Sequence, residues 1–361
     1  MDEPRRLTEV ALYTDARAFG EDLQVGPYRF MPTYVYPVGE MPFLAVVVRM
    51  AYGVAIEDLT SDTHDGAYHG GDIYDELAAL LSLAAGIRCQ AGGAIRDWDI
   101  ASDPLGRHIE WGHRRPYLPE PGRRGAVLPG MSRDFTFEKA APFLAKYGGA
   151  PPKSATAVIR AARLYQQALW VAESDPNQAW LLLVSAGEVA AEQSEKLPKS
   201  LAARIETAWP DLGRVLAMLP AEPRNHLVNL LGPTVKAQAK YYQFFEHFKP
   251  APPLKRPAEF EQVVWQQLPE HLVKIYKYRS RALHAGNPFP YPMCEPPQYN
   301  DSDEPPAEIP LGLWTQRGPS GWKAEDTPLL LHVFEYITRS ALQQWWLQLP
   351  AISNGDSERS S

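Results

Sequence analysis

The stretch QAWLLLVSAGEVAAEQ, residues 178–193, is apolar or small at every position between Gln178 and Glu188. A helix that is apolar nearly all round belongs in the middle of a bundle, because none of its faces suits water. A buried strand could also contain WLLLV, but the alanines and the flanking Glu and Gln favour helix. Asp175 as N-cap, Pro176 as first helical residue and Gln178 as capping-box partner predict where it begins. We therefore expect a central buried helix.

Helical periodicity continues through most of residues 150–350. The segment before the central helix carries an apolar stripe formed by Val158, Ala161, Tyr165, Ala168 and Ala172. Further helices are predicted for LAARIETAW (201–209), DLGRVLAML (211–219), VKAQAKYYQFFEHF (235–248), PEHLVKIYKYRSRALHAG (269–286) and TPLLLHVFEYITRSALQQWW (327–346). Prolines recur too often in 286–326 for a helix, so a long loop is expected there. The polar tail 351–361 is expected to be disordered.

Residues 1–149 have a different texture. Short strands are predicted from PYRFMPTYVYPV (27–38), MPFLAVVVRM (41–50) and GIRCQAGGAI (86–95), and a helix from DIYDELAALLSLAAG (72–86), with Gly86 as its C-terminal cap. The Pro, Gly and Arg content of 103–149 is typical of loops. The predicted fold class is α+β, with an N-terminal mixed α/β domain (1–149) followed by an all-α helical bundle (150–350).

Composition limits the function classes. The 361-residue chain has a formal net charge of -7 and a pI near 5.8, so contact with nucleic acid would need a local basic patch. It lacks a membrane-length apolar run and the pattern of a signal peptide, and we expect a cytoplasmic protein without a membrane partner. Cys89 and Cys294 lie far apart, without metal-type spacing, and are expected to be reduced thiols.

One local basic patch is present. YKYRSRALHAG, residues 276–286, contains Lys277, Arg279, Arg281 and His284. A basic last turn also complements the helix dipole, so a purely structural role is the competing interpretation.

The order of these helices, with Glu188 in the second, LAARIE in the third and a closing EYITRSALQQ helix, resembles the Apea-like branch of the HEPN superfamily over residues 153–349. The most specific feature is an arginine and a histidine separated by four residues, here Arg279 and His284. The resemblance implies a homodimer through the helical domain, and a metal-independent endoribonuclease in which Arg279 and His284 are catalytic. Ser280 departs from the Asn, Asp or His that toxins of the superfamily carry after the arginine.

Elementary chemistry is consistent with that implication. Cleavage of RNA without a metal needs a base, an acid and a cation that stabilises phosphate charge, which histidine and arginine supply. Arg279 and His284 lie about 140° apart on an ideal helix, whereas Lys277, Arg281 and His284 share a face. Arg281 is therefore the geometric alternative to Arg279, and Lys277, Glu188 and Ser280 are supporting candidates.

The functional expectation is a HEPN-type endoribonuclease of antiphage defence or a toxin-like stress response. Its expected partner is RNA, tRNA among the candidates, and no cofactor or metal is predicted. The motif supplies one histidine per chain, His284, which is half of an acid–base pair. Two copies in a dimer would complete the pair. The alternative is a non-catalytic HEPN module that binds RNA or a protein partner.

Three other groups of residues suggest function less strongly. His64, Asp65, His69, Asp72 and Asp75 are metal-ligand types, but a turn into a helix N-terminus explains them more simply. A solvated basic loop explains the arginines that surround Tyr117, and a core or dimer interface explains the aromatic residues at helical spacing better than base stacking does. These are Arg114, Arg115, Arg123 and Arg124 in the loop, and Tyr242, Phe245 and Phe248 in the helix.

Overall fold

The structure is a computed structural model of the chain that describes residues 6–33, 41–52, 66, 68–100, 102–109, 112–194, 200–299 and 304–350. The fold is α+β, as the sequence predicts. The helices are α1 Ile73–Ala85, α2 Phe137–Gly148, α3 Pro152–Val171, α4 Pro176–Gln193, α5 Leu201–Ala208, α6 Pro210–Ala217, α7 Ala221–Phe248, α8 Leu268–Ala285 and α9 Leu331–Leu347. The strands are β1 Arg6–Thr14, β2 Ala18–Phe19, β3 Leu23–Val25, β4 Tyr28–Pro32, β5 Phe43–Tyr52, β6 Gln90–Asp99, β7 Arg107–His108, β8 Phe135–Thr136, β9 Trp314–Arg317 and β10 Ser320–Lys323.

A six-stranded antiparallel sheet organises the N-terminal part, in the order β3-β4-β5-β1-β6-β7. Its central strand is β1, which pairs with β5 on one side and β6 on the other, and which is buried continuously from Thr8 to Thr14. A strand covered on both faces has no polar alternation, which explains why the sequence pattern did not single out β1. The predicted strands at 41–50 and 86–95 correspond to β5 and β6, whereas residues 34–38 of the first predicted strand lie outside the described residues.

The described residues group into two compact units. The first comprises Met1–Glu120, Pro129–Val171 and Gln343–Ser361, and the second comprises Pro121–Leu128 and Ala172–Leu342. α3, which carries the buried stripe except for Ala172, therefore belongs to the first unit, and α4 to α8 belong to the second. The domain boundary predicted near Gly149 is a statement about which segment folds independently. A grouping by contacts does not test independent folding, so the boundary stays a prediction.

Three local expectations need correction. Residues 137–148, expected to be loop, form α2, because Phe137, Ala140 and Leu144 place a buried apolar stripe beyond the Pro- and Gly-rich segment. The Pro-rich loop at 286–326 contains the hairpin β9-β10. At the start of α4, Asp175 accepts the N–H of Gln178 at 2.9 Å, as predicted, but the described contacts show only this half of a capping box.

The predicted terminus of α1 is confirmed by Gly86, which adopts a left-handed conformation with φ of 67°. No helix among the described residues combines the length and the apolar character that crossing a bilayer requires. The predicted disordered tail, 351–361, lies outside the described residues.

The core of the second unit depends on close approach of α7 to α4. Gly187 of α4 faces Phe245 and Tyr241 of α7, and a Cβ at Gly187 would lie 2.8 Å from Phe245 and 3.2 Å from Tyr241. Both aromatic side chains are fully buried and cannot move into water. A side chain at position 187 must therefore push α7 away or force the two rings out of their packing.

We expect Gly187→Ala to lower the free energy of unfolding by about 1–3 kcal/mol, the usual range for overpacking. The matched control is Gly148→Ala at the exposed end of α2, where a Cβ meets no atom within 4 Å and a small gain of about 0.5–1 kcal/mol is expected. Urea unfolding followed by tryptophan fluorescence measures both. Equal midpoints for the two variants would contradict the close packing of α4 and α7.

Candidate functional site

The basic cluster lies in the last turns of α8. The helix ends at Gly286, which has φ of 66° and whose N–H binds the carbonyl of Arg281. The predicted end of this helix is thus confirmed. His284 is placed in the last turn, where the carbonyl ends of the helix favour positive charge.

α8 has two chemically distinct faces. Leu268, His271, Leu272, Ile275 and Tyr276 are buried. The opposite face exposes three polar side chains at i, i+4 and i+7, as the helical spacing predicts, and within the described residues none of the three is in an ion pair: Lys277, Arg281 and His284.

Arg279 does not belong to that exposed face. Its Nη2 atom lies 2.6 Å from Oε2 of Glu188 on α4, and its guanidinium carbon lies 5.6 Å from the ring centroid of Tyr276. About one fifth of each side chain of the Arg279–Glu188 pair is exposed. Arg279 is therefore held toward α4 by a charge-assisted hydrogen bond, and its positive charge is already balanced.

Glu188 connects two side chains of α8. Its Oε2 atom accepts a hydrogen bond from Arg279, and its Oε1 atom accepts a hydrogen bond from the Tyr276 hydroxyl, with 2.9 Å between the two oxygens. Burial and then the neighbouring carboxylate raise the pKa of Tyr276, so its hydroxyl stays protonated as the donor. The sequence indicated Glu188 and Arg279 but not Tyr276. The available signal was the spacing of three residues between Tyr276 and Arg279, which places both on one side of the helix.

Buried aromatic residues of α7 support this polar group. The ring of Tyr276 lies 5.0 Å from that of Tyr241 and 5.8 Å from that of Tyr242. Tyr242, Phe245 and Phe248 are all buried, which favours the predicted core role over base stacking. The hydroxyl of Tyr241 is buried without a hydrogen-bond partner among the described residues, and burial raises its pKa well above the ordinary value.

Most of the described residues of the metal-ligand types before and at the start of α1 have structural roles. Asp72 caps the backbone of Tyr74 and Asp75 at the start of α1. The Nε2 atom of His69 lies 3.5 Å from a carboxylate oxygen of Glu76. Within the described residues, no group of three or more His, Cys, Asp or Glu side chains is placed to hold a metal, and His64 and Asp65 lie outside them.

The four arginines of the Pro- and Gly-rich loop are exposed, and two of them have partners within their own unit. Arg115 donates to the carbonyl of Pro42 at 2.9 Å, and Arg124 forms an ion pair with Glu295. Tyr117 is exposed. Cys89 and Cys294 are both free, as expected from their spacing.

Comparisons of the chain with models of protein families, with curated proteins and with solved structures found no match. The resemblance to the HEPN superfamily thus stays a hypothesis, carried by the residues named above.

The Arg279–Glu188 pair can be tested by a double-mutant cycle. Because each side chain is about one fifth exposed, we expect a coupling free energy of about 1–2 kcal/mol between Glu188→Gln and Arg279→Gln. The control cycle uses Glu192 of α4 and Lys240 of α7, which lie 2.6 Å apart but with the carboxylate 59% exposed. That pair should couple by less than about 1 kcal/mol. A coupling in the first cycle no larger than in the control would contradict an anchoring role for Arg279.

The buried face of α8 makes stability depend on pH. Burial, followed by the charge of Lys274, lowers the pKa of His271 to about 4, and its Nδ1 atom is buried without a partner among the described residues. Between pH 6.5 and about 4 the unfolded chain therefore binds more protons than the folded chain. The free energy of unfolding falls as the pH falls through this window, and the contribution of neutral His271 is fully present above it.

We expect His271→Leu to remove up to about 3 kcal/mol of this acid-dependent loss. The slope of unfolding free energy against pH, measured by urea unfolding from pH 4.5 to 7, should become smaller. His226→Leu, at an exposed position of α7, should leave the slope unchanged. An unchanged slope in His271→Leu would show that this imidazole titrates normally in the folded protein.

Proposed function

We propose that this chain is a metal-independent endoribonuclease of the HEPN type. The observation that carries the proposal is the end of α8, where a histidine and two cations are exposed side by side on one helical face. These are His284, Arg281 and Lys277. The role in antiphage defence or a toxin-like stress response rests on the resemblance alone.

The proposed reaction is transesterification within RNA. A base removes the proton of the 2′-hydroxyl, the 2′-oxygen attacks the adjacent phosphorus, and the bond to the 5′-oxygen breaks as an acid protonates that oxygen. The products are a 2′,3′-cyclic phosphate and a free 5′-hydroxyl. The imidazole of His284 would serve as the base or the acid, and a second copy from a partner chain would take the other role. A homodimer through the helical region is therefore part of the proposal.

The two arginines would have different tasks. Arg281 shares the exposed face with His284, so its guanidinium can donate two hydrogen bonds to phosphate oxygens. Arg279 already donates to Glu188, and moving it to a phosphate would leave that carboxylate poorly paired. We assign Arg281 to the phosphate and Arg279 to the positioning of α8 against α4. This assignment favours the geometric alternative over the arginine that the family spacing indicates.

A non-catalytic HEPN module that binds RNA or a protein partner is the second candidate. The pairing of Arg279 with Glu188 favours it, because the arginine of the motif is neutralised. Ser280, in place of the Asn, Asp or His that the toxins carry after the arginine, points the same way. Binding would then use the same exposed face without any acid–base step.

The deciding experiment is cleavage of total RNA and tRNA by the purified protein in EDTA, followed by analysis of the product ends. We expect cyclic phosphate ends, a loss of at least about a hundredfold in rate for His284→Ala, and a large loss for Arg281→Gln. Arg279→Gln should lose less rate than Arg281→Gln but should lower stability. His226→Ala, which removes an exposed imidazole from α7, is the matched control and should cleave normally.

Two results would contradict the nuclease proposal. One is cleavage that EDTA abolishes, which would indicate a metal-dependent reaction or a contaminant. The other is no cleavage by a folded dimer that nevertheless binds RNA through Lys277 and Arg281, which would support the binding module.

A further inference from the structure

The Pro-rich region that follows α8 walls a cleft of about 770 Å³ within the second unit. This volume falls in the usual range for small-molecule sites. The lining is mixed: flat or apolar side chains come from Tyr291, Tyr299, Pro296, Pro297, Ile309 and Leu311, and polar side chains come from Glu295, Gln298 and Thr315.

Several contacts hold the walls in place. The backbone N–H of Ala307 donates to the carbonyl of Gln298 at 2.9 Å. The indole of the fully buried Trp180 donates to the carbonyl of Met293 at 3.1 Å and stacks on Phe289 at 5.2 Å between ring centroids. The hairpin β9-β10 brings Thr315 into the lining. A cleft fixed in this way loses little conformational entropy when a ligand binds.

Two arginines flank one tyrosine of the wall. Arg124 donates to the hydroxyl of Tyr291 at 2.8 Å and pairs with Glu295. The guanidinium carbon of Arg317 lies 3.9 Å from the centroid of the Tyr291 ring. Arg317 is exposed, and no carboxylate of a described residue pairs with it. Among the described residues, the Arg317 guanidinium therefore adds a positive charge without a carboxylate partner beside the ring of Tyr291.

We propose that this cleft binds a nucleotide, with the base against Tyr299 and the neighbouring prolines and the phosphate on the Arg317 guanidinium at the edge of the cleft. A flat apolar wall recognises the face of any base, and a guanidinium recognises phosphate by two hydrogen bonds. The positive charge of Arg317 opposes a basic peptide, and a phosphate alone would leave the tyrosine and proline part of the lining unused. The nucleotide is either free or one residue of a single strand.

The second source has a geometric basis. Tyr291 follows His284 by seven residues, so their Cα atoms lie within about 25 Å of each other. A strand of a few nucleotides could therefore occupy the cleft and also reach the end of α8. The nucleotide site is nevertheless independent of the proposed cleavage, because it uses none of the residues assigned to the reaction.

The test is isothermal titration of the full chain with AMP, GMP, CMP and UMP, with the matching nucleosides, and with a 2′-O-methyl pentanucleotide that cannot be cleaved through its 2′-oxygen. Tyr299→Ala changes a half-exposed residue of the lining, and Arg317→Gln changes an exposed residue that borders the cleft at Tyr291, so both variants should fold. Lys323→Gln is the matched control, since it removes the same charge from the same hairpin without touching Tyr291.

We expect nucleotides to bind at least tenfold more tightly than nucleosides, and Arg317→Gln to weaken binding by about ten- to a hundredfold. Tyr299→Ala should also weaken it, and Lys323→Gln should change it less than about twofold. Similar affinities for mononucleotides and the pentanucleotide would identify a free nucleotide as the ligand. A pentanucleotide at least tenfold tighter, with its binding lost in Arg317→Gln, would identify an RNA strand.

Absence of binding by both probe types at millimolar concentration would overturn the inference. So would equal losses of nucleotide affinity in Arg317→Gln and Lys323→Gln. Cleavage measured in EDTA on the same preparations keeps the two proposals separate. His284-dependent cleavage without nucleotide binding refutes only the cleft, and nucleotide binding without cleavage refutes only the nuclease.

Discussion

The carboxylate of Glu188 sits beside the aromatic core between α4, α7 and α8, and a charge in that position must be paired. Arg279 and Tyr276 both donate to it, from consecutive turns of α8. Removing either donor would leave a partly buried carboxylate poorly solvated, which costs more than the direct contact contributes. Gly187, the preceding residue, lets the rings of Tyr241 and Phe245 approach α4. Together these contacts fix the rotation of α8 about its own axis.

That rotation decides which side chains of the basic cluster reach solvent. With Tyr276 and Arg279 turned toward α4, the residues at positions 277, 281 and 284 are exposed. Arg279 and His284, although separated by only four residues, therefore lie in different surroundings. Arg279 is part of the helix packing, while His284 stands at a helix end with Arg281 as its cationic neighbour. The functional interpretation of this site depends on that division more than on the spacing of the motif.

The Pro-rich region extends the same logic to a second surface. Prolines prevent a helix from continuing beyond Gly286. The described residues that follow instead form the hairpin β9-β10 and line the cleft. The hydroxyl of Tyr291 accepts a hydrogen bond from Arg124, and the guanidinium of Arg317 stacks on the face of its ring. Exposed cationic side chains are thus present at two places in this unit, the end of α8 and the edge of the cleft.

Local patterns in the sequence determined the elements whose signals depend on their own residues. The helical period identified α4 and α8, Asp175 and Pro176 marked the start of α4, and Gly86 and Gly286 marked helix ends. That Lys277, Arg281 and His284 share one face followed from 3.6 residues per turn alone, whereas the exposure of that face depends on how α8 packs. These features are local because a helix satisfies its backbone hydrogen bonds within one segment.

Only the tertiary structure decided the rest. β1 is the centre of the sheet because β5 and β6 pair with it from distant parts of the chain, and its uniform burial removes the alternation that marks a strand. The sequence pattern did not predict α2, because the Pro, Gly and Arg content of the preceding segment indicated a loop. The partner of Arg279 lies 91 residues away on α4, and no spacing rule relates positions so far apart. Long-range pairs of this kind form only when packing brings two helices together, which is why the site could be located from the sequence but not assembled from it.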